Sequence, residues 1–392
     1  MQRPAVRPMN NRRGNRVQPK RIAVVVPRYG LVGGGEKLVY ELTERIAADP
    51  RWRVHVFANR WRSGSDSIHF HHVPILPFPR FMTPLSFALF ARKEMNRVGV
   101  DLIHAHGRIL DAHIYSVHGI PHTIWAKQIR RKRVMSLFDY TLANIERRLI
   151  NNPNCKHLLA VSSITAEKLN QAFNGISDRI KIVSPGIDAQ PFTRWVRQDC
   201  RKTLREQYGW HADDLVLLFV GMNFEIKGLD VILESLGLAT RTSPDVTIRL
   251  LVVGKGNIRK YRQLAKSLGL LDHVAFAGPI DSNIERIYLG SDLFILMSQF
   301  DTFGLVVLEA MAGGLPVIIS RNVGARDVVK ENTNGFVVDG QDCASIADKI
   351  QTLSRQDNRD RMGLAATHTA REHSWQAMAD TVSELYAKKL QC

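Results

Sequence analysis

RIAVVVPRYGLVGGGEK, residues 21 to 37, runs from a continuous apolar stretch through a glycine-rich turn to the charged pair Glu36-Lys37. The unbroken run Ile22 to Val26 has the pattern of a strand buried on both faces. The turn carries Gly30, Gly33, Gly34 and Gly35, and from Glu36 to Ala48 the apolar residues recur at helical spacing. A second strand pattern at Val54 to Ala58 completes a βαβ unit. Glycines between strand and helix let a ligand approach the backbone and leave amide N–H groups free for an anion.

The strand signal recurs at Asp101 to Ala105, Ile114 to Val117, Leu158 to Val161 and Ile180 to Val183, with helical segments between. Ser184-Pro185-Gly186-Ile187-Asp188 breaks the pattern, and a second series then begins. Its strands are expected at Leu215 to Val220, Thr247 to Val253, Val274 to Ala277 and Leu293 to Met297, and its helices at Leu229 to Leu238 and Tyr261 to Leu268. Two α/β series predict two doubly wound, Rossmann-like domains facing each other across a cleft, with ligands at the carboxyl ends of the strands. The expected divisions are a basic tail at 1–20, an N-terminal domain at 21–190, a C-terminal domain at 191–372 and a final segment at 373–392, whose helical stretch is Trp375 to Leu390.

A chain of 392 residues, 45% hydrophobic and 23% charged, has room for two full cores. Its net charge of +17 implies a negative partner: nucleic acid, anionic lipid or a phosphorylated substrate. Arg3, Arg7, Arg12, Arg13, Arg16 and Lys20, with no acid among them, describe a flexible basic tail that lacks the apolar core of a signal peptide. No apolar run approaches the roughly 18 residues needed to span a bilayer, so a cytosolic chain is expected. Cys155, Cys200, Cys343 and Cys392 are scattered without C-x-x-C spacing, which disfavours a disulfide framework or a zinc site.

The second informative stretch is FDTFGLVVLEAMAGGLPVI, residues 300 to 318, where Asp301 and Glu309 bracket a glycine turn and an apolar run. Unpaired acids beside apolar residues are costly to bury, so hydroxyls and amides are their expected partners. Sugars and ribose offer such hydroxyls. Phe303-Gly304-Leu305 leads into a helix whose first amides can face an anion, with Glu309 one or two turns inside it. Lys227, in GMNFEIKGLD at 221 to 230, falls between a strand and a helix, where an ammonium can reach a phosphate.

Several patterns narrow the class. The first glycine turn is not G-x-G-x-x-G, and Phe57-Ala58-Asn59-Arg60 offers no acid to a ribose, so a dehydrogenase is disfavoured. His104, His106, His113, His118 and His122 lie close in sequence without H-E-x-x-H or a cysteine partner, so no metal site is expected. The absence of a D-x-D triplet argues against a metal-bridged diphosphate, leaving Lys227, the glycine loop and helix-start amides to hold it. Trp125 to Met135 sets Lys127, Arg130, Arg131, Lys132 and Arg133 beside an aromatic flank, a composition suited to an anionic membrane surface.

These motifs resemble the retaining family-4 glycosyltransferases. Residues 301 to 309 resemble their E-x7-E signature, with Asp301 in the first position, and GGGEK at 33 to 37 resembles their G-G-x-E-[RK] loop. The family pairs an arginine with the lysine matched by Lys227. Met222 and Ile226 stand at the candidate arginine positions, leaving Lys255 or Arg326 as substitute cations. His118, ending IYSVHG, resembles the strand-end histidine that touches the donor sugar. Residues 142 to 150, 157 to 169, 178 to 188 and 253 to 261 resemble the lipopolysaccharide core glucosyltransferase I subgroup, and the whole resemblance covers about residues 20 to 390.

The resemblance implies a GT-B fold with the final helix crossing back onto the first domain. It implies retaining, metal-independent transfer of a hexose, glucose as the expected one, from a UDP-sugar co-substrate to a lipid-anchored saccharide such as lipopolysaccharide core. His118, Lys227 and Asp301 would act in catalysis. Gly33, Gly34, Gly221, Lys227, Phe303, Gly304, Leu305 and Glu309 would hold the donor, with Glu309 on the ribose. Trp125, Lys127, Arg130, Arg131, Lys132 and Arg133 would meet the membrane. The expected state is a monomer on the inner face of the cytoplasmic membrane, with no nucleic-acid partner and no cofactor. Alternatives are another donor such as a mannosyl or GDP-sugar, a soluble acceptor, a basic nucleic-acid-binding protein and a dehydrogenase.

Overall fold

In the computed structural model, which describes residues 18–391 apart from 32, 63 and 131, the first apolar run is the centre of a sheet. Strands β1 (Lys20–Val25), β2 (Trp52–Ala58), β3 (Ile68–His72), β4 (Leu102–Ala105), β5 (Ile114–Val117), β6 (His157–Ala160) and β7 (Ile180–Ile182) pair in parallel in the order β3-β2-β1-β4-β5-β6-β7. Strands β8 (Leu215–Met222), β9 (Ile248–Lys255), β10 (Val274–Gly278), β11 (Leu293–Leu296), β12 (Val317–Ser320) and β13 (Gly335–Val338) form a second parallel sheet in the order β10-β9-β8-β11-β12-β13. Both orders reverse beside the first strand, which opens a crevice at each switch point.

The helices that matter to the cleft are α1 (Gly34–Ala47), α2 (Met82–Val98), α3 (Leu137–Ile150), α4 (Ser163–Ala172), α5 (Leu305–Ala312) and α6 (Trp375–Leu390). Side chains of β1 alternate between the two faces of its sheet. Ile22 and Val24 join a core containing Leu38, Val39, Leu42 and Ile46 of α1, while Ala23 and Val25 join one containing Phe87, Ala91 and Met95 of α2. Burial on both faces explains why the strand reads as a continuous apolar run.

The chain crosses between the sheets twice, and the two crossings touch. Ile187 donates its N–H to the carbonyl of His373 at 2.8 Å, and a Cβ on Gly186 would fall 2.2 Å from the Trp375 nitrogen, so only glycine fits there. After this point α6 returns to the first domain. Its Ser383 hydroxyl accepts from Trp52 Nε1 at 2.6 Å, and its Tyr386 hydroxyl meets His104 Nδ1 at 2.6 Å. Trp52 and Tyr386 also meet edge to face, with centroids 5.8 Å apart.

Among the described residues, no helix is long and apolar enough to cross a membrane. Cys155, Cys200 and Cys343 are free thiols; Cys392 and residues 1–17 of the expected tail lie outside the described residues. The sequence reading did not assign β3, β12, β13 or the helices Cys343–Thr352 and Gln356–Glu372. β3, with the sequence IHFHH at a sheet edge, is only partly covered, so its apolar signal is weak.

Candidate active site

The loops after β1, β8 and β11 all end at the gap between the two sheets. The first includes Gly33, whose φ of 135° is poorly accessible to other residues, and leads directly into α1. Opposite it, Gly304 adopts φ 88° at the start of α5, which aims the first turn of that helix at the same gap. The two loops are close: a Cβ on Gly34 would lie 3.7 Å from Leu305 Cδ1, and one on Gly35 would lie 3.7 Å from His118 Cβ. The Val307 N–H already donates to the Gly304 carbonyl at 2.9 Å, which leaves the Leu305 and Val306 amides at the start of α5 to face an anion.

One turn into α5, the Glu309 carboxylate faces the gap with both oxygens engaged. Lys37 Nζ, from the first turn of α1, sits 3.2 Å from Oε1, and the Tyr288 hydroxyl donates to Oε2 at 3.0 Å. Burial and the adjacent carboxylate push the Tyr288 phenol well above its ordinary pKa, which keeps it a donor. Tyr288 was not singled out from the sequence, where no motif marks it. The contact orients Glu309 so that its other oxygen points across the cleft.

A second pair lies beside the first. Lys227 Nζ and Asp301 Oδ2 form a short, largely buried ion pair. Their loops are tied together by the Gln299 N–H on the Ile226 carbonyl at 2.8 Å and the Ser298 hydroxyl on the same oxygen at 3.1 Å. Gly228 shapes the turn after Lys227: its φ is 71°, and a Cβ there would strike the Met297 carbonyl oxygen at 2.0 Å. An ammonium and a carboxylate are thereby placed together between the loops after β8 and β11.

Histidines line the N-terminal wall. His118 Nε2 and His106 Nδ1 are 2.9 Å apart with rings stacked at 8°, and His104 joins Tyr386 on Nδ1 and Ser116 on Nε2, at 2.6 and 2.8 Å. Burial holds all three rings below the ordinary imidazole range, to about 3 for His104 and about 4 for His118. The rings are neutral near pH 7. His118 Nδ1 is buried with no hydrogen-bond partner among the described residues, beside the glycine loop. His113 accepts the Ile103 N–H at 2.9 Å and His122 contacts Asp139 at 2.9 Å, both structural roles. Among the described residues, no group of three or more His, Cys, Asp or Glu side chains is arranged to hold a metal ion.

Some expected contacts take another form. The Phe303 side chain is 3% exposed and belongs to the core, so this residue has only its backbone to offer a donor. Gly221 is a packing residue within β8: a Cβ there would press on Lys227 Cγ at 3.1 Å, so its absence of side chain lets the lysine stem lie flat. Arg326 is not free to replace the family's arginine, because it binds Ser163 Oγ and Glu167 at the start of α4. Lys255, at the end of β9, is exposed.

The basic stretch after His118 is not one continuous helix. It forms a short turn at His122–Ile124 followed by a wider π-type turn at Trp125–Ile129. Lys127 and Arg133 are exposed, while Trp125, Arg130 and Lys132 line a cavity beside the cleft; Arg131 lies outside the described residues. Lys132 is fixed by Asp139 at 2.6 Å, which removes it from any free cationic stripe.

Comparison with known proteins matches residues 32–191 to the family described as "Glycosyltransferase Family 4" and residues 201–369 to "Glycosyl transferases group 1". A D-inositol 3-phosphate glycosyltransferase of Xylanimonas cellulosilytica is 32% identical over 240 residues, 59% of this chain and 56% of that protein. The chain thus spans just over half the length of that relative. Among solved structures, WaaG, a glycosyltransferase involved in lipopolysaccharide biosynthesis, superposes with a TM-score of 0.75 at 18% identity, covering 93% of this chain and 99% of the other. Anabaena HepE in complex with UDP and glucose superposes with a TM-score of 0.68 at 19% identity, covering 93% and 99%. Both share the two-domain GT-B fold.

Proposed function

We propose that this chain, whose residues 32–191 and 201–369 match the family 4 and group 1 glycosyltransferases, moves a hexose, glucose first among candidates, from a UDP-sugar to a lipid-anchored saccharide acceptor such as lipopolysaccharide core. The observation that carries this reading is the Glu309 carboxylate, braced by Tyr288 and met by Lys37 at the start of two facing helices. A carboxylate there grips the vicinal diol of a ribose, while the first amides of α5 and Lys227 hold the diphosphate. Asp301 and His118 then orient the sugar, the neutral imidazole through its unpartnered Nδ1.

In the transfer, the anomeric C–O bond to the diphosphate breaks as a bond to an acceptor hydroxyl forms. The hydroxyl proton passes to the departing phosphate oxygen on the same face, which retains configuration. Lys227 and the helix amides stabilise the charge that develops on that phosphate. Basic and apolar side chains at 125 to 137 suit docking of the protein to the inner leaflet, where a lipid-anchored acceptor is presented.

A second acceptor, a soluble phosphorylated cyclitol or sugar, is favoured by the similarity to the D-inositol 3-phosphate glycosyltransferase of Xylanimonas cellulosilytica. The test of the donor reading is a thermal-shift panel of UDP, GDP, ADP and their sugars, since a ligand that binds only the folded state raises its stability. UDP and UDP-glucose are expected to give the largest shifts. A panel in which no nucleotide shifts the transition removes the donor site.

A further inference from the structure

A cavity of about 840 Å³ opens beside the cleft, within the size range of small-ligand sites. Its inner end is formed by His118 from the first domain and by Asp301 and Thr302 from the second, where the sugar would be transferred. Its walls come from α3 and from the residues just before α2, and they are unevenly charged.

The acids in the wall are already satisfied. Asp139 takes Lys132 Nζ at 2.6 Å, His122 Nε2 at 2.9 Å and the Ser136 hydroxyl at 2.6 Å. Glu146, behind the wall, takes Arg108 Nε at 2.8 Å and the His122 N–H at 2.7 Å. At the inner end, Asp301 is paired with Lys227. Two guanidinium groups remain, Arg80 and Arg130, both exposed at the mouth and neither within ion-pairing reach of a carboxylate among the described residues. Arg80 is held in place over the Phe138 ring, 5.5 Å from its centroid.

Two unneutralised forks on one cavity mouth are matched by an anion with several acceptor oxygens, and a phosphate offers each fork a bidentate, charge-assisted partner where a neutral hydroxyl has one oxygen and no charge. We propose that this cavity seats the acceptor by a phosphate monoester held between Arg80 and Arg130, leaving the acceptor's hydroxyl at the inner end beside Asp301 and His118. The inference rests on the sugar-transfer reading above and adds the chemical class of the acceptor. The phosphate belongs either to a free phosphorylated sugar or to a lipid-linked one.

The experiment uses the full chain saturated with UDP, so that the donor's phosphate subsite is filled. Thermal midpoints are measured with glucose, glucose 6-phosphate, inorganic phosphate, and vesicles of phosphatidylcholine with and without phosphatidic acid. Phosphate-bearing probes are expected to raise the midpoint and glucose is not. In Arg80→Gln/Arg130→Gln that response is expected to weaken by about tenfold or more in apparent affinity while the UDP shift persists. A response to soluble phosphate points to a free acceptor, and one confined to phosphatidic acid vesicles points to a lipid-linked acceptor. If no phosphate-bearing probe acts, or if the double variant responds like the parent, the inference is overturned although the donor site stands. If UDP itself gives no shift, the donor reading fails instead, and the same probes without UDP still decide the cavity. Arg130→Gln alone, a change on an exposed side chain, serves where the double variant does not fold.

Discussion

Lys37 Nζ and Glu309 Oε1 lie 3.2 Å apart although 272 positions separate them in the chain, and their contact bridges the two domains at the mouth of the cleft. Lys37 is 47% exposed and Glu309 17%, so the pair is worth no more than about 1 kcal/mol. That is weak enough for a ligand to exchange. Lys37→Gln is therefore expected to lower the thermal midpoint of the free protein by only about 2 to 4 °C. A much larger drop would mean that the contact holds the domains together, and differential scanning fluorimetry distinguishes the two.

Glu309→Gln keeps the shape of the side chain and a partner for the Tyr288 hydroxyl but removes the charge that would bind a diol. Transfer from a UDP-sugar is expected to fall by about tenfold or more, since charge-assisted hydrogen bonds contribute about 1.5 to 3 kcal/mol. The parent is expected to prefer UDP over 2′-deoxy-UDP, and the variant is expected to lose that preference. Equal discrimination by both proteins in calorimetry would place the ribose elsewhere.

The Lys227–Asp301 pair separates charge placement from folding. Lys227→Met leaves Asp301 largely buried without its cation, at an expected cost of about 1 to 3 kcal/mol. Adding Asp301→Asn removes the stranded charge and is expected to restore part of the loss, yet neither protein is expected to transfer sugar. Strictly additive denaturation energies for the two changes would show that the side chains do not interact.

The buried histidines set a pH dependence with a defined sign. Their folded pKa values lie below the ordinary 6.5, at about 4 for His118 and about 3 for His104, so the unfolded chain takes up protons first as pH falls. Stability is complete above about pH 6.5 and declines from there towards about pH 4, by up to about 1.4 kcal/mol per pH unit for each such group. His104→Gln is expected to reduce that slope. Midpoints that stay flat between pH 7 and 5 in the parent would contradict the assignment.

The parts of this molecule written in local pattern were legible in the sequence. β1 and β8 announce themselves because both faces are buried, and the glycines at 33, 34 and 304 mark the turns that bring backbone to the cleft. β3 was not assigned because this half-covered edge strand offers only two apolar residues, Ile68 and Phe70, too short an alternation to stand out. The site was legible as letters and not as contacts. Lys37 stood within a recognisable loop and Glu309 within a recognisable helix, but only tertiary structure joins them. Tyr288 and Arg80 carry no local signal at all, since their roles come from what the fold sets beside them: the Glu309 carboxylate for one, the Phe138 ring for the other.

The return of α6 has a consequence for how the protein is made. Trp52 and His104 belong to strands translated before the second domain, yet their partners Ser383 and Tyr386 are translated only after it. The first sheet therefore emerges with an indole N–H and an imidazole nitrogen exposed to water on the face that α6 later covers, and it waits for synthesis of the second sheet before that face is sealed. Completion of the first domain is thereby made contingent on synthesis of the second, and a nascent chain released early carries an uncovered surface rather than a finished half.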